Sequence, residues 1–402
     1  LNNQRSNKNA AGGIMNQAVT QVGQDARKEK HHFNGKVPDD DVPLGSGKKS
    51  GSRAFNSIEQ LDKLIFIKDD EKSALKEVEK RYHMLVTNYY LSLIKNPLDE
   101  NDPIRLQCIP HVNELNDTLE ASIDPLGEKD MSPVSCLVHR YPDRALLLVT
   151  GTCFMYCRHC TRKRLWESGC TGPMPLDEIQ EAVNYVRNNT SIREIIVSGG
   201  DPLTLPTERL DYILSLVSDI PHIEVIRIGT RAPVVFPQRV DAGLAKALEK
   251  YNRLWINVQF NHPNEVTPES AEACRRLQKC GIPLSNQSVL LKGINDDPAI
   301  MIELCHKLQN IRVRPYYLFQ CDPVIGASHF RTSVFKGIEI MEHMRGHTSG
   351  MCIPVFVIDG PEGKGKIPVG PNYVLSMAPD KLILRNYKFQ VFDYENPAPV
   401  ES

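Results

Sequence analysis

From residue 145 onward, short apolar runs alternate with amphipathic stretches in a steady rhythm. The runs are ALLLVT (145–150), REIIVSGGD (193–201), EVIRIGT (224–230), LWINVQF (254–260), PLSNQSVLL (283–291) and RPYYLF (314–319). Each is strand-length, which suits strands of a sheet buried on both faces. Between them lie LDEIQEAVNYVRNN, TERLDYILSLVSDI, DAGLAKALEKY, ESAEACRRLQKCG and PAIMIELCHKLQN, whose apolar residues recur at helical spacing. Six such units at roughly thirty-residue spacing predict an α/β fold, a partial (β/α)6 barrel of parallel strands with helices outside. Periodicity alone leaves a doubly wound sheet as the alternative. In either fold, reactive residues belong at the ends of strands.

The flanks read differently. Residues 1–55 are rich in Asn, Gly, Lys and Asp and poor in apolar residues, which predicts a disordered N-terminal arm. Residues 56–130 form an N-terminal helical region. Leu61, Leu64 and Ile65, then Val78, Tyr82, Leu85, Tyr89 and Leu93, predict two or three helices ending at Asn96-Pro97. The barrel takes residues 131–330. A smaller C-terminal domain, 331–402, holds the helix TSVFKGIEIMEHMRG, the strand CIPVFVID, a Gly/Lys loop and a β-like tail.

Composition narrows the setting. Lys+Arg 48 against Asp+Glu 49 gives net charge −1, so no global field recruits nucleic acid or anionic membrane. No apolar segment is long enough to cross a bilayer, and LNNQRSNKNAAGG has no signal-peptide stretch. Eleven cysteines, an odd number with three of them clustered, point away from a disulfide framework and towards a reducing, cytoplasmic setting.

Those three, Cys153, Cys157 and Cys160 in GTCFMYCRHCTRKR, follow the first strand. Their spacing lets three thiolates meet one four-iron cluster and leaves one iron open for a ligand. The competing reading is a structural zinc site with His159 or Cys170 as fourth ligand, although zinc sites usually come as two close pairs. Chance clustering among eleven cysteines is the bland alternative.

At this motif, with Tyr156 before the last two cysteines, the chain resembles the radical S-adenosylmethionine superfamily. SGGDP at 198–202 resembles the superfamily's glycine pair, and implies that the backbone of Gly199 and Gly200 meets the amino group of the methionine moiety. HRYPDR, RIGTRAPVVFPQR, FNHPNE, QCDPVIGASHFRT and GKIPVGPNYV, taken in order, resemble the lysine 2,3-aminomutase family over about residues 105 to 390. The resemblance implies a 4Fe-4S cluster, S-adenosylmethionine and pyridoxal 5′-phosphate, in an isomerase that moves the α-amino group of L-lysine to Cβ. Lys366 then matches the lysine that forms the imine with pyridoxal phosphate, and Arg140, Tyr141 and Arg144 match the residues holding its phosphate. His159 and Gln287 match positions near S-adenosylmethionine. Arg162 matches the grip on the substrate carboxylate, and Asp322 and Asp359 the pair that receives the far ammonium. An electron donor such as flavodoxin or ferredoxin and a homo-oligomeric assembly are implied too.

Departures from the family pattern bear on metal and substrate. The interfacial zinc cysteines are missing: Asp297 stands at one such position and no cysteine follows Cys352, so zinc is not expected. Gln259 and Phe319 also differ from the common residues. Lys364, a few residues after Asp359, would favour an acidic substrate such as glutamate if it reached the pocket; with both aspartates present, lysine is the better electrostatic match and arginine satisfies the same pair.

Overall fold

The computed structural model describes residues 42–43, 53–62, 64–167 and 172–397. The expected N-terminal arm lies almost wholly outside them, and so does Cys170. Seven parallel strands form the centre: β2 (Arg144–Thr150), β3 (Glu194–Gly199), β4 (Val225–Thr230), β5 (Leu254–Val258), β6 (Leu284–Leu290), β7 (Arg314–Gln320) and β8 (Val355–Gly360). Antiparallel strands flank them, β1 (Leu137–Tyr141) on one edge and β9 (Gly365–Pro368) on the other. The ladder runs in order from β1 to β9 without joining its ends, a partial parallel barrel.

All six expected strand–helix units are present, with helices α1 (Leu176–Asn188), α2 (Thr207–Ser218), α3 (Ala242–Glu249), α4 (Pro268–Lys279), α5 (Pro298–Asn310) and α6 (Val334–Met344) between successive parallel strands. The seventh strand is the difference. Val355–Gly360, assigned from sequence to the C-terminal part, pairs in parallel with β7 and then turns into β9. Its apolar run is the same signal as the other six; only the long connection through α6 set it apart. A separate antiparallel sheet, Val374–Met377, Lys381–Arg385 and Val391–Glu395, follows.

Alternation along the strands explains how the barrel encloses space. In β3, Ile195 and Val197 are fully buried against the helices, while Glu194, Ile196 and Ser198 face a cavity. In β4, Ile226 and Ile228 face outward and Arg227 and Gly229 inward. Small and polar residues on the inner face leave room that bulky aliphatic layers would fill. On the outside, Ile179, Ala182, Val183 and Val186 give α1 its buried stripe. Side-chain caps start α3 (Asp241), α4 (Thr267), α5 (Asp297) and α6 (Ser333), each worth about 1 kcal/mol. Asp297 is thus a helix cap.

The N-terminal region is less regular than its periodicity predicts. Helices cover Ile58–Leu61, Lys72–Arg81 and Asn88–Leu91, with a short strand at Val86–Thr87. Tyr90 and Leu91, rather than Tyr89 and Leu93, are the buried pair, because the chain enters the last helix from a strand and changes phase. No described helix is long and apolar enough to cross a membrane.

Candidate active site

The loop after β2 carries the three cysteines and is braced from below. Tyr156 packs with Val78 and Tyr82 of the N-terminal region beside Cys153 and Cys160. Backbone amides of Tyr156 and Arg158 donate to the carbonyls of Leu85 and Gln107, both at 3.0 Å. Underneath sits Glu114, fully buried. It accepts from Arg158 at 2.9 and 2.6 Å and from Lys163 at 2.9 Å. Burial pushes the Glu114 carboxyl up, but the two cations outweigh it and hold it at about 2. Glu114 is therefore ionised at neutral pH, and its contacts to Arg158 and Lys163 fix the loop on both sides of His159 and Cys160.

A second acid from the same region, Glu128, holds Arg162. Nη2 of Arg162 donates at 2.7 Å and Nε at 3.0 and 3.2 Å, while Arg164 reaches the same carboxylate at 2.7 Å. Arg162 also lies 3.4 Å from the Gly199 carbonyl. Burial raises the Glu128 carboxyl, and the two arginines bring it down to about 2.

The glycine pair sits where two loops touch. Gly199 has φ +140°, and a Cβ there would lie 2.1 Å from the Thr150 carbonyl oxygen; at Gly200 it would lie 2.1 Å from that of Thr152. The Gly200 and Asp201 amides donate to these same carbonyls at 2.7 Å. The backbone approach requires glycine whatever else the loop binds. Asp201 then fastens the loop to β4, accepting from the Thr230 hydroxyl at 2.7 Å and the Arg231 amide at 2.8 Å. His159 is buried and held neutral by burial, by Arg231 and by Lys163. Its Nε2 lies 3.4 Å from the side-chain amides of Gln259 and Asn261, and its Nδ1 has no hydrogen-bond partner among the described residues.

At the other end of the cavity, the β8–β9 hairpin places Asp359 opposite Lys366. Lys366 Nζ lies 3.1 Å from Asp359 and 5.2 Å from the centre of the Phe319 ring. Arg140 donates to the same carboxylate at 3.0 Å. The Tyr141 hydroxyl accepts the Lys366 amide at 3.0 Å, and Arg144 stacks 4.0 Å over the Tyr141 ring. Burial and the charge of Asp359 push the nearby Asp322 carboxyl up to about 7, with Lys366 and Arg140 opposing.

The fourteen residues given site roles from sequence line one cavity of about 540 Å3: Cys153, Cys157, Cys160, His159, Arg162, Gly199, Gly200, Gln287, Asp322, Asp359, Lys366, Arg140, Tyr141 and Arg144. Lys364 is absent from the lining; its side chain is 68% exposed and lies 3.4 Å from Glu362. Glu128, Arg231, Arg227 and Glu194 also face the cavity and were missed. Their charges look ordinary in sequence, since nothing local marks a residue whose partner is distant.

The donor set fits a cluster. Among the described residues no three His, Cys, Asp or Glu side chains converge on one ion, whereas a cuboidal cluster takes each thiolate on a separate iron. Burial and neighbouring thiols push the thiol of Cys160 up to about 11 and that of Cys153 well above its ordinary value, so holding these two as thiolates requires a cationic partner.

The radical SAM superfamily model matches residues 147–305 and the lysine-2,3-aminomutase C-terminal model residues 341–401. L-lysine 2,3-aminomutase of Clostridium subterminale is 50% identical over 343 residues, covering 85% of this chain and 82% of that protein. The chain belongs to the lysine 2,3-aminomutase family. L-lysine 2,3-aminomutase of Acetoanaerobium sticklandii is 49% identical over 346 residues, covering 85% and 82%. Glutamate 2,3-aminomutase of Clostridioides difficile is 44% identical over 351 residues, covering 87% and 82%. The chain is thus an isomerase of the aminomutase type, and membership of the radical S-adenosylmethionine superfamily carries with it a 4Fe-4S cluster and S-adenosylmethionine.

Proposed function

We propose that this enzyme is a pyridoxal phosphate-dependent L-lysine 2,3-aminomutase. The observation that carries the reading is the grouping of Lys366, Arg140, Asp359 and Asp322 at one end of a cavity whose other end holds the cysteine loop. When bound, the cluster and S-adenosylmethionine supply the hydrogen-abstracting group, and pyridoxal phosphate supplies the conjugated system that spreads spin during migration. Cys153, Cys157 and Cys160 hold the cluster, with Gly199, Gly200, His159 and Gln287 around the cosubstrate.

The chain itself positions and balances charge. Arg140 and Arg144, with Tyr141, suit a phosphate dianion. Lys366 would hold the cofactor through its side-chain amine. Arg162, held by Glu128, grips the α-carboxylate. Asp359 and Asp322 receive the ε-ammonium; Asp322, close to half-protonated at neutral pH, gives up its proton as the cation arrives. An external reductant such as flavodoxin or ferredoxin supplies the electron, in a reducing, cytoplasmic setting. Glutamate would need a cation in place of the two carboxylates, and the exposed Lys364 does not supply it.

Incubating the reconstituted, reduced enzyme with S-adenosylmethionine and either lysine, arginine, glutamate or alanine tests the proposal. β-Lysine is the expected product. Turnover of glutamate alone would overturn the assignment of Asp322 and Asp359, and failure to bind pyridoxal phosphate would overturn that of Lys366.

A further inference from the structure

Arg231 ends the run of β4 and opens the short helix Ala232–Val235. Its side chain is 7% exposed. Nε donates to the Gln259 carbonyl at 3.2 Å. Nη2 faces Gln107 Oε1 at 2.6 Å, Glu265 Oε1 at 2.7 Å and the Tyr90 hydroxyl at 3.2 Å. Nη1 donates to Cys157 Sγ at 2.7 Å. The backbone amide is fixed by Asp201, so the fork is held at both ends. Glu265, wholly buried, is itself fixed by the Tyr90 hydroxyl at 2.6 Å and the His262 amide at 2.9 Å.

A buried Arg–Glu pair that ties the N-terminal region to the barrel accounts for the Glu265, Gln107 and Tyr90 contacts. It does not account for a guanidinium aimed at the middle thiol of the trio. Cys160, by contrast, accepts a neutral backbone amide, that of Arg162, at 3.4 Å. Hydrogen bonds to cluster sulfurs and nearby net charge are the levers by which a protein sets a cluster's potential. The reduced cluster carries one more negative charge than the oxidised one, so a fixed cation beside one of its thiolates stabilises the reduced form more. Arginine stays protonated throughout, and the step is a one-electron transfer from an external reductant to the cluster with no proton moved.

We infer that Arg231 is a positioning residue that raises the reduction potential of the iron–sulfur cluster, through a charged hydrogen bond to the Cys157 sulfur from a guanidinium fixed by Glu265. The inference rests on the cluster reading of the three cysteines.

The test is an EPR-monitored redox titration of anaerobically reconstituted full-length enzyme, with iron and sulfide counted for each variant. Arg231→Gln is expected to keep its iron and shift the midpoint negative. At the unaltered enzyme's midpoint, its reduced-to-oxidised ratio should fall about tenfold, equivalent to about 59 mV for one electron. Arg231→Lys should recover part of the shift. If Arg231→Gln fails to fold, Arg231→Lys decides: a smaller negative shift supports the inference and an unmoved midpoint overturns it. An unmoved midpoint with full iron in Arg231→Gln overturns the inference alone. Absence of iron and sulfide from the unaltered enzyme overturns the cluster reading and this inference together.

Discussion

The two ends of the cavity solve opposite electrostatic problems. Around the cysteine loop, cations are matched in advance: Glu114 holds Arg158 and Lys163, Glu128 holds Arg162 and Arg164, and Glu265 holds Arg231. These acids come from the N-terminal region or from a distant loop, and Glu114 and Glu128 are held ionised well below neutral pH. At the far end, two carboxylates crowd together and one of them, Asp322, is driven up to about 7. The first arrangement holds a loop rigid before anything binds. In the second, Lys366 and Arg140 already sit on Asp359, and it is Asp322, with its raised carboxyl, that a further cation would favour in its ionised form.

Removing Lys366 should break the far end most completely. Lys366→Ala is expected to lower turnover at least about a thousandfold and to abolish borohydride trapping of pyridoxal on the chain, while iron content stays unchanged. Trapping at unchanged yield would move the cofactor lysine elsewhere. At the braced end, Glu114→Gln leaves two buried cations with a weaker partner, a loss of about 3–5 kcal/mol seen in urea unfolding of the apo chain. The sign with pH follows from the lowered carboxyl: this stability is present above the ordinary glutamate value and is lost as pH falls towards about 2.

Asp322→Asn should raise KM for lysine by about 10- to 100-fold, the worth of one charge-assisted contact. Because its carboxyl titrates near 7 in the folded chain, lysine affinity should climb as pH rises through 7, up to about tenfold per unit below it. The asparagine variant should lose that slope. Its raised value also means that Asp322 disfavours folding increasingly between about pH 4 and 7 and no further above, the reverse of Glu114. Lys364→Ala should do least: lysine turnover within about twofold, stability within about 0.5 kcal/mol, and no change in the preference between lysine and glutamate. A large change in that preference would restore Lys364 to the pocket.

Sequence carried the strands and helices through periodicity and the cysteine trio through its spacing, which are local signals; Lys366, the paired arginines and the aspartates were reached through the family resemblance. The thiols lie within one loop, and Lys366 and Asp359 lie on one hairpin. The long-range partners were not legible. Glu114 follows His111 as the third residue of a short capped turn and reads as a capping residue. Glu128 stands in a loop, and Arg231 is one charge among several in RIGTRAPVVFPQR. Their significance comes from residues 34, 44 or 74 positions away, and no periodicity reports such distances.

The reaction proposed for this enzyme is migration of an amino group from Cα to Cβ of lysine. Lysine labelled with nitrogen-15 at its α-amino group, incubated anaerobically with the reconstituted, reduced enzyme, pyridoxal phosphate and S-adenosylmethionine, tests it directly. The expected product is β-lysine with the label on the nitrogen bonded to carbon 3, formed only when all three cofactors are present. Label retained at carbon 2 while glutamate is converted to its β-isomer, or product formed without pyridoxal phosphate, would contradict it.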